Sequence, residues 1–451
     1  MTGSFATITT DAGFGVGVSS AVSIAGNSAA VTLTAAPLVT TAVAAATANT
    51  VVAQKAPVLG LTQTRNITAV ALGLDRAVAA GADVSSLFSV YNQPTREALA
   101  AAVNTLSGEV HTATSAAGLR VSDQFLRVML DPFAIGRDGS LVGTSGPVGF
   151  TADLPGRKGA VSAPAPVRFE PTFHVWGATF GQIDRTKGDA TGAGSSTRDI
   201  RDANIAVGAD YRIAPGSVIG FALSGGQSRS ELGRNLGSSN ADIFQLGLYG
   251  ATKIGALSLA GSLSYAAMQV ETRRNVPALG LGTTADYSAH VWGGRLQAAY
   301  DLFSAGGFTV SPIAALQIQS VHTPNFRETN SFTGAAAGVT GRSHTNTALR
   351  SDLGLRITSV TMLGGRKTTL FTEIAWAHYF QRDVTFAASL TGIANTNFVI
   401  EGARSNRDAA LFSAGADVQL TPTLTLGGRF DASASGNTTS FAGSGMLRAS
   451  F

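Results

Sequence analysis

Residues 423–431 read TLTLGGRFD. Leu424, Leu426 and Phe430 share one parity, and Thr423, Thr425, Arg429 and Asp431 share the other. Successive side chains of a strand point to opposite faces, so this stretch has one apolar face and one charged face. The split recurs over 346–357, where Leu349, Leu353, Leu355 and Ile357 oppose Arg350, Asp352 and Arg356. Over 202–213, Ile205, Val207, Tyr211 and Ile213 oppose Asp202, Asn204, Asp210 and Arg212. Over 308–320, Phe308, Val310, Leu316 and Ile318 oppose Thr309, Ser311, Gln317 and Gln319. None of these runs has the 3.6-residue spacing of a helix, so each is a strand.

A water-soluble sheet also alternates, but its polar face commonly carries Lys, Glu and Thr. Here the polar face carries scattered Arg and Asp among Gly, Ala and Ser, as a narrow lumen filled by paired charges would. The expected inward charges are Asp210, Arg212, Arg295, Arg350, Asp352, Arg356, Glu373, Asp417, Arg429 and Asp431. They pair with one another, or bind a segment threaded past them.

Strand windows at 171–183, 200–213, 217–229, 240–253, 256–271, 286–302, 307–321, 345–359, 368–380, 407–420, 422–432 and 440–451 give about twelve, an even number as in bacterial membrane barrels. Tight turns near Gly216, Gly255, Gly306, Gly364 and Pro422 alternate with long polar connections at 184–199, 230–239, 272–285, 322–344 and 381–406. Short turns belong to the periplasmic side and long loops to the outside. With that orientation the outward aromatics form two girdles. Tyr211, Tyr300, Phe308 and Phe451 lie by the short turns, and Tyr265, Trp292, Phe380, Phe430 and Phe441 lie by the long loops. Aromatic rings favour the headgroup region at both faces of a bilayer. The predicted fold is an all-β membrane barrel of about twelve antiparallel strands. A short helical segment and a β-like N-terminal remnant precede it.

Composition agrees. Charged residues make up 13% of the 451, and mean hydropathy is +0.19, yet no stretch is apolar enough for a spanning helix. The most apolar window, 35–53, is diluted by Thr, Gln, Asn and Pro. Cysteine is absent, which excludes disulfide frameworks and thiolate metal sites. A net charge of +4 without a basic run is no footprint for nucleic acid. His111, His174, His290, His322, His344 and His378 are scattered, with no helical i,i+4 pair to suggest zinc. We read them as solvent-exposed or lumenal. No nucleophile elbow or phosphate loop occurs. No catalytic residue, cofactor or metal is expected.

Residues 1–58 read as a passenger-stem remnant or linker, and 59–132 as a helical segment interrupted at Gly108 and Gly118. Residues 133–168 form a Gly/Pro-rich linker, and 169–451 the barrel. Because the first strand must rise from the periplasm, an exported N-terminal part would have to pass through the barrel, so some piece of 100–168 should thread the lumen. Residues 1–20 lack a signal-peptide pattern, which suggests the C-terminal portion of a longer precursor.

Several stretches resemble the autotransporter β-domain of type V secretion. They include VWGATFGQIDRTKGD from Val175, GADYRIAPGSVIGFALSGGQSRSEL from Gly208, FQLGLYGATKIGALSLAGSLSYA from Phe244, ADYSAHVWGGRLQAAY from Ala285 and RDAALFSAGADVQLTPTLTLGGRFDA from Arg407. The upstream LSGEVHTATSAAGLRVSDQFLR from Leu106 resembles the helix found before that barrel, with Leu106, Ser107, Gly108, Glu109 and His111 as its motif. The resemblance implies an outer-membrane translocator of a Gram-negative bacterium that anchors and exports an N-terminal passenger to the cell surface. It implies as partners the outer-membrane lipid and lipopolysaccharide, the barrel-assembly machinery and the chain's own passenger. Any catalysis would lie in a passenger outside this chain. Leu447, Ala449 and Phe451 stand where the family's C-terminal assembly signal stands; Ala449 is smaller than usual there. The alternative function is a pore or adhesin acting through the long loops.

Overall fold

The computed structural model describes residues 14–25, 28–39, 58–60, 63–131, 172–330 and 338–451. The linker expected at 133–168 and most of 1–58 lie outside them. Among the described residues, twelve antiparallel strands pair in sequence order and close on themselves. They are β1 (Phe173–Thr186), β2 (Arg198–Ala214), β3 (Ser217–Leu232), β4 (Gly237–Ile254), β5 (Leu257–Val276) and β6 (Leu281–Tyr300). Then come β7 (Phe308–Thr323), β8 (His344–Leu363), β9 (Arg366–Arg382), β10 (Asp408–Thr421), β11 (Leu424–Ala434) and β12 (Thr438–Ser450). The seam runs from Thr438↔Thr186 to Ser450↔His174. At its short-turn end the Phe451 backbone N–H donates to the Phe173 carbonyl at 2.9 Å. No barrel edge is left open, which a bilayer requires because it cannot satisfy free backbone groups.

Alternation sets which side each residue serves. Outward positions such as Ile205 (66% exposed), Leu248, Leu263 and Leu296 form an apolar belt. Tyr211, Tyr300, Phe308 and Phe451 are exposed near the short turns, and Trp292, Phe380, Phe430 and Phe441 near the long loops. Tyr265 is half-buried, its hydroxyl 2.8 Å from His290 Nδ1.

Several strands run well past the expected windows. The connections expected at 230–239 and 272–285 are mostly strand, with single helical turns at Gly233–Asn235 and Pro277–Leu279. The ladder hydrogen bonds continue there while the outward face turns polar at Arg229, Glu231, Glu271 and Arg273. The amphipathic signal therefore ends before the strand does. The two longest connections contribute Phe326–Arg327, Val339–Gly341, Thr385–Leu390 and Phe398–Glu401 to a four-stranded sheet over that end of the barrel.

Before the barrel come, among the described residues, a hairpin (Val18–Ala25 with Ser28–Ala35), a single helical turn at Phe88–Tyr91 and three longer helices: α1 (Arg65–Ala79), α2 (Arg96–Thr105) and α3 (Thr112–Leu130). Leu38, Val70, Leu74, Leu99 and Val103 share one core with Phe386, Phe398 and Ile400 of the loop sheet. The helical region therefore caps the long-loop mouth. Arg65 pairs with Glu401 at 2.8 Å, and the Asn66 side chain bonds the Glu401 backbone at 2.8 and 2.9 Å.

Gly108 breaks the helix as expected, at φ +65°, where a side chain would be strained. Gly118 does not; it lies inside α3. A Cβ there would come within 3.0–3.2 Å of Val291, Val321 and Met268 on the barrel wall. That glycine serves a close approach, and sequence cannot tell this from a break.

Candidate functional site

The candidate site is the lumen and the helix inside it. Along α3, Arg120, Asp123, Arg127 and Asp131 recur at spacings of three and four, forming one polar stripe. Phe125, Leu126 and Met129 form an apolar one. The apolar stripe packs on Trp176, Ala222 and Tyr249, inward residues of β1, β3 and β4. The polar stripe meets charges of β8 and β11 and the long-loop end of β1. Arg120 pairs with Asp184 of β1 at 2.8 Å, Asp123 with Arg350 of β8 at 3.0 Å, and Asp131 with Arg429 of β11 at 2.9 Å. Gln319 Nε2 donates to the Leu119 carbonyl at 2.7 Å, and Ser262 Oγ to the Leu126 carbonyl at 3.2 Å. Partners on five different strands surround the helix, so α3 is threaded through the barrel.

The inward charges divide into two groups. Arg356 and Glu373 pair with each other at 2.9 Å, and Arg295 and Arg350 both hold Asp352 at 2.8 Å. Arg350 and Arg429 reach α3 as well, and Arg429 also holds Asp431 at 2.7 Å. Asp210 takes His174 at 2.7 Å and Arg448 at 3.4 Å near the short-turn end. Arg212 and Asp417 are half-buried on the same inward parity. Sequence reading missed the α3 charges, although their three-and-four spacing was visible beside the apolar stripe.

The motif before α3 forms a collar at the long-loop end. Glu109 Oε1 accepts from the Ser196 backbone N–H at 2.6 Å. His111 is not solvent-exposed; it is buried at the long-loop end of the lumen, against the inward residue Tyr287. Its Nε2 is 2.8 Å from Glu328 Oε1 and its Nδ1 3.2 Å from the Tyr287 hydroxyl, with Phe326 and Phe386 against the ring. Arg274 donates to both Glu328 oxygens, at 2.8 and 2.5 Å. Leu106 is also buried, as is Ser107, whose Oγ accepts from the Glu109 N–H at 3.3 Å.

The collar's titrations oppose one another. Burial pushes the Glu109 carboxyl up to about 7, so its stabilisation is full below the unfolded value near 4.5 and is lost as pH rises through 7. Burial pulls His111 below its ordinary 6.5, so its contribution is present above that value and declines as pH falls. Burial would raise Glu328, but Arg274 and His111 outweigh it and hold the carboxyl near 2. Protection of α3 amides from hydrogen exchange should therefore change less between pH 7 and 5 than the histidine alone would make it. In Glu109→Gln the same interval should show a decline in protection from the unopposed histidine.

A residual cavity of ≈ 60 Å³ lies between α3 and the wall near Arg127, Gln182, Ser413 and Ser444. Smaller voids adjoin the helix as well, ≈ 50 Å³ by Leu119, Gln319 and Tyr379 and ≈ 30 Å³ by Asp131, Asp417 and Arg448.

Residues 175–431 match the autotransporter β-domain family. The chain belongs to that family. This autotransporter β-domain is an outer-membrane translocator barrel of a Gram-negative bacterium. The translocator domain of autotransporter NalP from Neisseria meningitidis is similar in fold, with TM-score 0.50 and 15% identity over 61% of this chain and 88% of that one. The β-domain of the Bordetella autotransporter BrkA gives TM-score 0.47 and 17% identity, covering 62% of this chain and 99% of that one. An extracellular serine protease of Serratia marcescens is 23% identical over 56% of this chain. That match spans 23% of the protease's own length.

Proposed function

We propose that the residues before α3 reach the cell surface through this barrel, and that α3 is the last exported stretch, retained as a plug. The observation carrying this reading is the helix's direction. Its N-terminal collar sits among the long loops, and its C-terminal Asp131 sits on Arg429, beyond which the chain must return to β1 at the short-turn end. A chain threaded this way has its N-terminal part outside. Leu447 and Phe451, exposed at the end of β12, suit recognition by the barrel-assembly machinery, with Ala449 between them on the same face. By analogy with the Serratia relatives, named as extracellular serine proteases, catalysis would belong to a passenger and not to the barrel. A pore or adhesin is the rival reading, and the helix held inside the lumen speaks against a pore.

The test fuses a signal peptide and an epitope tag ahead of Met1 in a Gram-negative host. Protease is added to intact cells while the barrel is followed by its heat-dependent gel shift. A folded barrel with the tag shaved from outside is the expected result. A folded barrel with a protected tag would sink the export reading.

A further inference from the structure

The outward faces of β1, β2 and β3 run largely uncharged from the short-turn end and then stop on arginine. On β2 the run is Tyr211, Ala209, Val207, Ile205 and Ala203, then Arg201. On β1 it ends at Ile183 and Arg185, and on β3 at Gly225, Gln227 and Arg229. The hydrocarbon belt of such a barrel is roughly 25 Å tall, so these guanidiniums stand where the outer-leaflet headgroups begin. The outward faces of β7 and β8 carry no lysine or arginine along their length.

Arg201 and Arg229 are direct cross-strand partners. Like charges facing each other across a ladder repel, and the Glu231 carboxylate offsets that repulsion on the Arg229 side only. The neighbouring acids are already engaged: Asp199 with Arg185 at 3.4 Å and Glu231 with Arg229 at 2.9 Å. Arg201 has no acidic partner among the described residues. Immediately below, on the hydrocarbon side, Gly181, Gly225 and Gly443 floor a furrow walled by Ile205, Leu223 and Phe244. Absent side chains leave a groove open to the bilayer; its walls are apolar except at the arginine end, where Gln227 donates to Asp242 at 2.9 Å.

We propose that this surface binds a phosphorylated glycolipid of the outer leaflet, a phosphate held between Arg201 and Arg229 and an acyl chain laid in the furrow. Guanidinium forks match phosphate oxygens bidentately, so paired arginines at headgroup height select phosphate over neutral lipid. The assignment rests on the outer-membrane placement and is independent of which segment is exported.

Native mass spectrometry of the purified intact chain can read this out, with bisphosphorylated lipid A and the same lipid dephosphorylated as probes. The intact chain should retain the phosphorylated lipid about tenfold better. The double variant Arg201→Gln, Arg229→Gln should lose that preference. Arg273→Gln should keep it, because Arg273 lies higher on β5 and faces Ser238, not a second arginine, across the ladder. Equal retention of both lipids by the intact chain, or an unchanged preference in the double variant, overturns the proposal. The comparison on the intact chain needs no variant to fold. Surface exposure of the N-terminal tag should be the same in every variant, which separates this result from the export test.

Discussion

Replacing Glu328 with alanine should cost about 3–5 kcal/mol, because it strands a buried charge instead of merely removing a contact. Glu328 is 3% exposed and sits between two loops of the cap. It accepts from Arg274 through both oxygens, and from the Val339 N–H at 2.8 Å; His111 Nε2 is also within 2.8 Å. With the carboxylate gone, the Arg274 side chain, itself 2% exposed, loses the two-oxygen contact that holds its charge in the same low-dielectric pocket. The strands below keep their ladder bonds, so the loss is local. Hydrogen exchange should show α3 and the cap opening while the barrel retains its heat-dependent gel shift. Glu328→Gln keeps the shape and one acceptor, and should open less. If alanine left α3 as protected as in the parent, the collar would not be what latches the plug.

The second large effect concerns current across a membrane. Deleting residues 112–131 should convert a closed barrel into a stably conducting one in planar bilayers. An α-helix with its side chains is about 10–12 Å across, and barrel diameter grows with strand number beyond the eight strands whose lumen side chains alone can fill. In this barrel the space is taken up by Phe125, Leu126 and Met129 on one side and by the Asp123–Arg350 and Asp131–Arg429 pairs on the other. Removing α3 leaves the inward faces of β8 and β11 lined with Arg350 and Arg429 and open to water. The parent should show only brief openings, and the shortened chain should carry steady current. A folded, shortened barrel that stays silent would mean that some segment other than α3 closes the pore.

Period-two alternation was enough to assign the barrel from the residues themselves. Which residues face lipid, and how many strands there are, follow from local parity, because a pleated strand between oil and a polar lumen must alternate. That information ends where the membrane ends. Strands such as β5 run on to Val276 past Arg273, held by ladder bonds that leave no side-chain pattern. The tertiary structure alone decided what α3 does. Arg120, Asp123, Arg127 and Asp131 would look the same on a solvated helix face, and Gly118 the same at a helix break. Only closure of the sheet brings Asp184, Arg350 and Arg429, far apart in sequence, around one helix. Only the folded loops bring Glu328 to His111, 217 residues away. Contacts of that separation are fixed by packing and charge in a closed space, which no local spacing encodes.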